Sequence, residues 1–375
     1  MKVYLSRPNI EAGDISSVVS VLKTPYLSLG PKQDIFQDKF SRYIGTKYAV
    51  AVNSGTSGLD LVMQALGISS GDEVITTAYS FIASSNSILF NRAIPVFADI
   101  DRQTFNIDIC KIEKKITSKT KAILAVHVFG LPTDMISINR IARKYELRVI
   151  EDSCEALGAS IDGKKAGTFS DAAVFGFYPN KQITTGEGGM VVTDNSRIAK
   201  LITSLKNQGR SADGKFVRLG YNYRLSDINC ALGISQLDKI NRILQRRLEV
   251  AKLYNSRINA IGEVTHLADV VGYKRSWFVY IVKLSDKYSL ADKHIIMKDM
   301  RRHGVDCGDY FPAIHLTPFY KKQFGFKRGD FPVTEQISDR TFALPFYNNI
   351  TKKQIDYVIY QLKRAILDVK KIVSG

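Results

Sequence analysis

Short runs of β-branched and apolar residues alternate with amphipathic segments between residues 47 and 193, and no other feature of the chain constrains its fold as strongly. After the first run, residues 59–66 place apolar side chains at the spacing of one helix face. Strands that alternate with helices form a mostly parallel sheet covered on both faces. We therefore predict a three-layer α/β core. The predicted strands are KYAVAV (47–52), EVITT (73–77), PVFADI (95–100), KAILAVHV (121–128), RVIEDS (148–153), AAVFGF (172–177) and GMVVT (189–193).

The pattern changes beyond Ser226, where helical periodicity extends over residues 226–258 without a strand. A chain of 375 residues also exceeds the length at which one hydrophobic core usually stops growing. We therefore predict a large domain over residues 1–245 and a smaller C-terminal α+β domain over residues 246–375. Other predicted elements are a helix capped by Asp134, a strand over 276–284, a helix over 290–303 ended by Gly304, and a helix over 352–370 capped by Thr351.

The chain is basic, with 53 Lys and Arg residues against 36 Asp and Glu residues. Such a surplus attracts nucleic acid, anionic membranes and phosphorylated small molecules alike. The lysines are spread along the whole chain, without a basic tail or zinc-finger spacing, so we do not expect nucleic-acid binding. A phosphorylated substrate, or lysine-rich usage without functional meaning, would each explain the charge.

No apolar run approaches the roughly 20 residues that a membrane helix needs, so we expect no membrane association. The N-terminal MKVYLSRPNI lacks the apolar centre of a signal peptide, and we therefore expect a soluble, cytoplasmic protein. The cysteines are scattered without CxxC spacing, which favours reduced thiols and predicts no metal site. They are Cys110, Cys154, Cys230 and Cys307.

The segment NSGTSG (53–58) lies between a predicted strand and a predicted helix. A glycine turn at a helix N-terminus leaves free backbone N–H groups and the positive end of the helix dipole, and together these bind phosphate. The backbone at Gly55 and Thr56 is the candidate phosphate site. The alternative is that Ser54 only caps the helix.

Asp152 ends a strand that should be buried, where open α/β sheets bind their ligands. A buried carboxylate needs a partner, which a protonated heterocyclic nitrogen would supply, although an Asp that caps the next loop is the structural alternative. Lys181 follows 29 residues later, beside the glycine-rich TTGEGG, where a sheltered amine can form a Schiff base. A phosphate site, a buried Asp and then a lysine is the order expected of pyridoxal phosphate enzymes with the aspartate aminotransferase fold.

Longer segments extend these motifs along the chain. They are YLSLGP (26–31), SFIASSN (80–86), HVFGLPTDM (127–135), EDSCEALGA (151–159), GYNYRLSDINCALGISQL (220–237), SWFVYIV (276–282), IHLTPFY (314–320) and LPFY (344–347). In these segments the sequence resembles the DegT/DnrJ/EryC1/StrS family of sugar-nucleotide aminotransferases nearly end to end. The resemblance implies the type I fold of pyridoxal phosphate-dependent transferases, with a mostly parallel sheet in three layers and a small C-terminal domain.

The resemblance also implies roles for individual residues. Lys181 is then the lysine that forms the Schiff base with pyridoxal phosphate and that moves the proton during transamination. Asp152 pairs with the pyridine nitrogen and keeps it protonated, so that the ring acts as an electron sink. Gly55 and Thr56 hold the cofactor phosphate.

Two further residues follow from the same resemblance. Phe81 occupies the position of an aromatic ring that stacks on the pyridine, although a packing role for this Phe is the alternative. Asn222 matches a residue that reaches the cofactor phosphate from the neighbouring subunit. A homodimer with two shared active sites is therefore implied.

The chain departs from the family pattern at two positions. Five residues before Lys181 the family often has a Ser that bonds the phosphate, and here Gly176 stands, so that bond is missing or is supplied by the backbone or by Thr184. Three residues after Asp152 the family usually has Gln or His near the phenolic oxygen, and here Glu155 stands. Since a charged carboxylate beside a phenolate is repelled, we expect Glu155 to be protonated, turned away or bonded to another donor.

The implied reaction is amino transfer from an amino acid, glutamate, to a keto sugar carried on a nucleoside diphosphate. Pyridoxamine phosphate carries the amine between the two halves, and Lys181 serves as base and acid in both. The segment QITTGEGG (182–189) resembles 4-keto-sugar enzymes more than 3-keto-sugar enzymes, which favours C4 over C3.

Two other functions are open. The pyridoxamine-dependent 3-dehydratase branch of the family has an acidic motif similar to EDSCEALG (151–158), but it typically carries His where Lys181 stands. A catalytically silent regulator would bind the cofactor as a sensor, although the retained Lys181, Asp152 and phosphate site argue against it. The loops 24–34, 210–224 and 308–330 are predicted to line the pocket. Candidate diphosphate contacts are Arg218, Arg224, Lys32 and His315, with an ordinary surface or structural role as the alternative for each.

Overall fold

A computed structural model describes the backbone of residues 1–374 and the side chains of residues 1–369. The strands are β1 (Tyr48–Val52), β2 (Glu73–Thr77), β3 (Ile94–Ala98), β4 (Thr120–Val126), β5 (Arg148–Asp152), β6 (Ser160–Ile161), β7 (Lys164–Lys165), β8 (Ala172–Gly176), β9 (Gly189–Thr193), β10 (Val264–His266), β11 (Tyr273–Lys274), β12 (Tyr280–Leu284) and β13 (Thr341–Leu344). The helices are α1 (Ala12–Leu22), α2 (Pro31–Ile44), α3 (Gly55–Ala65), α4 (Ala83–Phe90), α5 (Ile109–Ile112), α6 (Met135–Lys144), α7 (Ser196–Leu205), α8 (Asp227–Asp238), α9 (Ile240–Ile258), α10 (Leu290–Arg302), α11 (Pro318–Phe324), α12 (Pro332–Ser338) and α13 (Lys352–Ser374).

A seven-stranded sheet in the order β1-β9-β8-β5-β4-β2-β3 forms the centre of the molecule. The strands from β8 to β3 pair in parallel, whereas β9 lies antiparallel between β1 and β8. All seven strands predicted between residues 47 and 193 are present in this sheet. The α/β prediction is therefore confirmed.

Successive residues of each central strand are buried on opposite faces of the sheet. Val174 packs with α3 and α7 on one face, whereas Phe175 packs on the other face against Phe40 of α2, with ring centroids 5.2 Å apart. Both faces are apolar because helices cover both of them. This arrangement is the predicted three-layer core.

The helix predicted over 226–258 is interrupted, and this prediction was wrong in one respect. The chain turns at Lys239, so that α8 packs against α1 and α2, whereas α9 runs on to the small sheet. The Lys239 ammonium lies 2.5 Å from the buried carboxylate of Asp14, on α1. Periodicity alone does not reveal this break, because both helices keep apolar positions at the same spacing.

The C-terminal part of the chain carries the antiparallel sheet β10-β12-β13, packed against α10 and α13. The strand predicted over 276–284 is shorter than expected, because β12 begins at Tyr280. Ser276 instead donates its N–H to the Gly130 carbonyl. The proposed domain boundary at residue 246 falls inside α9 and stays a prediction. Among the described helices, none has the length and apolar character needed to cross a bilayer.

Candidate active site

A cavity of about 610 Å³ opens at the carboxyl ends of β4, β5 and β8. Ligands of open α/β sheets bind at this edge. The lining includes six of the seven predicted site residues, which are Gly55, Thr56, Phe81, Asp152, Glu155 and Lys181. The other lining residues are Ser54, Leu59, Ala83, Ser84, Val126, Cys154, Gly176, Phe177, Tyr178, Asn180, Glu187, Gly188, Asp309, Tyr310, Phe311 and Pro312.

One wall of the cavity is the N-terminus of α3. Ser54 caps the helix, since its Oγ accepts the N–H of Ser57 at 3.0 Å. The N–H groups of Gly55 and Thr56 have no acceptor within the described part of the chain. The capping role of Ser54 and a phosphate site at Gly55 and Thr56 are therefore compatible, because they use different N–H groups.

Asp152 lies at the end of β5 with 6% of its surface exposed. Its Oδ2 accepts the hydroxyl of Ser84 at 2.7 Å, and its Oδ1 accepts the N–H of Cys154 at 3.1 Å. Among residues 1–369, no cationic side chain forms an ion pair with this carboxylate. Because a buried carboxylate without a counter-charge is costly, the site favours a cationic group in the cavity.

Lys181 lies in the loop after β8, and its backbone is held on both sides. Its N–H donates to the Tyr178 carbonyl at 2.9 Å, and its carbonyl accepts Nη2 of Arg247 at 3.1 Å. The ammonium lies 4.2 Å from the centroid of the Phe278 ring and 3.8 Å from Oε1 of Glu155. The amine is therefore positioned in the cavity beside a carboxyl group.

Glu155 faces the cavity and is almost fully buried. Burial raises the pKa of this carboxyl to about 7, although the nearby Lys181 and the N–H of Phe129, which donates to Oε2 at 2.8 Å, oppose the rise. The Glu155 side chain is therefore not turned away from the cavity. It accepts a hydrogen bond from a backbone donor, and its raised pKa favours the protonated form below about pH 7.

Arg247 is a functional candidate that no sequence motif indicated. It is 3% exposed, and its Nη1 donates to the carbonyls of Trp277 and Phe278 while Nη2 reaches Lys181. Desolvation lowers its pKa to about 10. The sequence does contain one indication. Arg247 lies on the same face of α9 as Ile243 and Val250, at a position where the helical spacing predicts an apolar residue.

Gly176 is explained by its neighbour Cys154. A Cβ at Gly176 would lie 3.3 Å from the Cys154 sulfur, and a Cβ at Gly55 would lie 2.7 Å from the same atom. Cys154 thus fills the space beside both glycines. Thr184 does not replace the missing Ser, because its hydroxyl donates to the Phe177 carbonyl at 2.9 Å and it does not line the cavity.

The aromatic side of the cavity combines one predicted residue with two that were missed. Phe81 is 59% exposed, and its ring lies 6.3 Å from that of Phe311. Tyr310 accepts the amide Nδ2 of Asn180 at its hydroxyl, at 3.1 Å. The Tyr310 and Phe311 rings come from the loop 308–330, which was predicted to line the pocket, although neither of these two rings was predicted individually.

Asn222 does not line the cavity of its own chain. It is exposed, and its carbonyl lies 3.5 Å from Nδ2 of Asn53, just before the phosphate-site candidates. The predicted diphosphate contacts also lie outside the cavity lining. His315 is fully buried and pairs with Glu335 at 2.9 Å, so the prediction of a diphosphate contact there was wrong.

The chain is similar to several known proteins over nearly its whole length. The spore coat polysaccharide biosynthesis protein SpsC of Bacillus subtilis is 34% identical, over 98% of this chain and 96% of its own length. The GDP-perosamine synthase of Caulobacter vibrioides is also 34% identical, over 98% of this chain and 99% of its own length. The solved structure of Spr1654 from Streptococcus pneumoniae, a proposed sugar aminotransferase in its PMP form, superimposes with a TM-score of 0.96 at 26% identity over 100% of both chains.

The model of the DegT/DnrJ/EryC1/StrS aminotransferase family matches residues 8–363. That range includes every residue of the cavity lining. The resemblance inferred from the sequence motifs is thereby confirmed: the chain belongs to the DegT/DnrJ/EryC1/StrS aminotransferase family.

Proposed function

We propose that this chain transfers the amino group of glutamate to the keto group of a nucleotide-linked deoxy sugar, at C4. The observation that carries the proposal is the joint presence of Lys181 and the unpaired carboxylate of Asp152 in one cavity, beside the free N–H groups of α3. Family membership and the names of the two relatives support amino-sugar chemistry.

The enzymes of this family depend on pyridoxal phosphate. The site fits this group, because Gly55 and Thr56 offer unused donors to its phosphate and Asp152 offers an anion to its pyridinium nitrogen. Phe81 would cover the ring. When bound, the cofactor supplies an electron sink for the bonds at the substrate carbon.

Lys181 is the residue that moves protons in our proposal. Its side chain is 15% exposed, enough to reach a substrate in the cavity but little enough to exclude most water. Hydrogen bonds from Arg247 and to Tyr178 fix the backbone of Lys181, so that only its side chain needs to move during proton transfer. A positioned amine of this kind can take a proton from one carbon and return it to another.

The substrate assignment rests on charge and on the loop after Lys181. The formal charge of +17 is compatible with a nucleoside diphosphate substrate, which it would attract over a distance. The segment QITTGEGG supports C4, as argued from the sequence. We propose glutamate as donor by the same resemblance.

We propose that the active unit is a homodimer in which Asn222 completes the partner's phosphate site. The support is that Asn222 is exposed and lies outside the cavity of its own chain. The same loop exposes apolar side chains that a second copy would cover, with Phe216 exposed at 66%, Val217 at 53% and Leu219 at 85%.

The reaction is tested with a panel of 3-keto and 4-keto sugar nucleotides and glutamate, with the amine position determined in the products. A C4 amine is expected, and loss of a hydroxyl without a new amine would favour the dehydratase instead. Lys181→Ala should abolish turnover while the protein still binds pyridoxamine phosphate. An active Ala variant would contradict the role of Lys181.

The homodimer is tested by mixing inactive subunits. Lys181→Ala and Asn222→Ala each damage a different half of a shared site. If the sites are shared, each mixed dimer has one site with both substitutions and one site with neither. Its activity should then reach up to about half that of a wild-type dimer. Mixed subunits that stay inactive, or an Asn222→Ala variant with full cofactor affinity, would overturn the shared site.

A further inference from the structure

A second cavity, of about 430 Å³, lies outside the proposed active site, between α9 and the segment 273–277. Its rim is exposed and polar, whereas its floor is buried. Pockets of this volume accept small organic molecules. The lining residues are Gly158, Asn241, Leu244, Gln245, Leu248, Asp269, Tyr273, Lys274, Arg275, Ser276 and Trp277.

Arg275 on the cavity floor is a buried cation without a bonded anion. It is 8% exposed; its Nη1 donates to the Phe129 carbonyl at 3.2 Å and its Nη2 to the Ala268 carbonyl at 3.0 Å. Its Nε has no hydrogen-bond partner, and no carboxylate among the described side chains forms an ion pair with it. Desolvation lowers its pKa to about 10, against the attraction of Asp269. A buried guanidinium in this state is stabilised by an anion.

The other walls suit the body of an organic ligand. The Arg275 guanidinium lies 5.3 Å from the Trp277 ring, which is itself 5% exposed. Leu244 and Leu248 add apolar surface from successive turns of α9. Lys274 at the rim adds a second positive charge, whereas the negative charge of Asp269 at the rim repels small multivalent anions.

We propose that this second cavity binds a small organic anion, whose phosphate or carboxylate pairs with Arg275 and Lys274 and whose apolar body packs on Trp277. The inference does not depend on the proposed function, because it uses none of the residues that line the first cavity. The alternative is a purely structural role, in which Arg275 only connects two segments by donating hydrogen bonds to the Phe129 and Ala268 carbonyls.

The test uses the holoenzyme loaded with pyridoxal phosphate, so that the N–H groups at α3 are already occupied. Trp277 is the only tryptophan of the chain, and its emission therefore reports on the second cavity. Phenyl phosphate and benzoate are titrated separately to distinguish a phosphate from a carboxylate ligand, with calorimetry as a second readout. We expect a saturable change with at least one of them, and at least tenfold weaker binding of neutral phenol and of inorganic phosphate.

Variants separate binding at this cavity from binding elsewhere. Arg275→Gln should weaken binding about tenfold or more, because it removes a charged hydrogen-bond donor. Lys274→Glu should weaken it about threefold or more, whereas Lys252→Glu, which changes an exposed charge on α9 that does not line the cavity, should change it much less. If Arg275→Gln does not fold, the affinities of the Lys274→Glu and Lys252→Glu variants for the anion are compared instead. No saturable change with either anion, or equal affinity in the Lys274 and Lys252 variants, would overturn the proposal.

Discussion

Replacement of Glu155 by Gln should make the free energy of unfolding of the cofactor-free protein less dependent on pH. Burial raises the pKa of Glu155 from 4.5 to about 7. Between these values the folded chain keeps a proton that the unfolded chain has lost, so the free energy of unfolding falls as the pH rises through this interval. From pH 5 to pH 8 the loss amounts to roughly 2.5 kcal/mol, at about 1.36 kcal/mol for each pH unit between the two pKa values. Glu155→Gln removes this loss, since an amide does not titrate.

The assay is urea unfolding of both proteins without cofactor, at several pH values from 5 to 8. The difference in unfolding free energy, variant minus wild type, should grow by roughly 2.5 kcal/mol over this range. Glu187→Gln is the matched control, because it changes an exposed carboxyl that lines the same cavity. Parallel curves for wild type and Glu155→Gln would refute the reasoning, and a comparable change in the Glu187 control would show that the effect is not specific to the buried carboxyl.

Three further changes test the positioning of the site and the core. Ser84→Ala removes the 2.7 Å hydrogen bond to the buried Asp152 carboxylate and should lower the unfolding free energy by about 1.5–3 kcal/mol, measured by urea unfolding; an unchanged midpoint would contradict it. Arg247→Lys keeps the charge but loses the forked bonds to the Lys181 and Trp277 carbonyls, so kcat should fall on the order of tenfold with a smaller change in the KM for glutamate; an unchanged kcat would remove its positioning role. Phe175→Ala empties the contact with Phe40 and should cost about 3–5 kcal/mol in urea unfolding, and a loss below about 1 kcal/mol would show that the core closes around the gap.

The strand predictions that were confirmed, and the choice of Asp152 and Lys181 as candidates, depend on local patterns. Each central strand is a short apolar run; Asp152 is the last residue of one such strand, and Lys181 lies in the loop that follows another. The N-caps at Asp134 and Thr351 are local in the same way, since each side chain bonds an N–H three residues away. Interactions between residues this close in sequence can be predicted from spacing.

The missed or mistaken residues depend on contacts between distant segments. His315 had the residue type of a phosphate ligand, but its environment is set by Glu335 and by the rings of Phe326 and Phe331, which precede α12. The turn at Lys239 reflects the ion pair with Asp14, 225 residues earlier in the chain. No local pattern encodes such pairings.

The sequence by itself determined the α/β class, the order of the strands along the chain and the edge of the sheet at which the chemistry should lie, because hydrophobic period and turn residues act over a few positions. Only the tertiary structure decided that β9 inserts antiparallel between β1 and β8. It also brought Arg247 to the Lys181 carbonyl and enclosed Glu155 so that its carboxyl retains a proton near neutral pH. These properties arise from desolvation and from long-range packing, which exist only once the chain has folded.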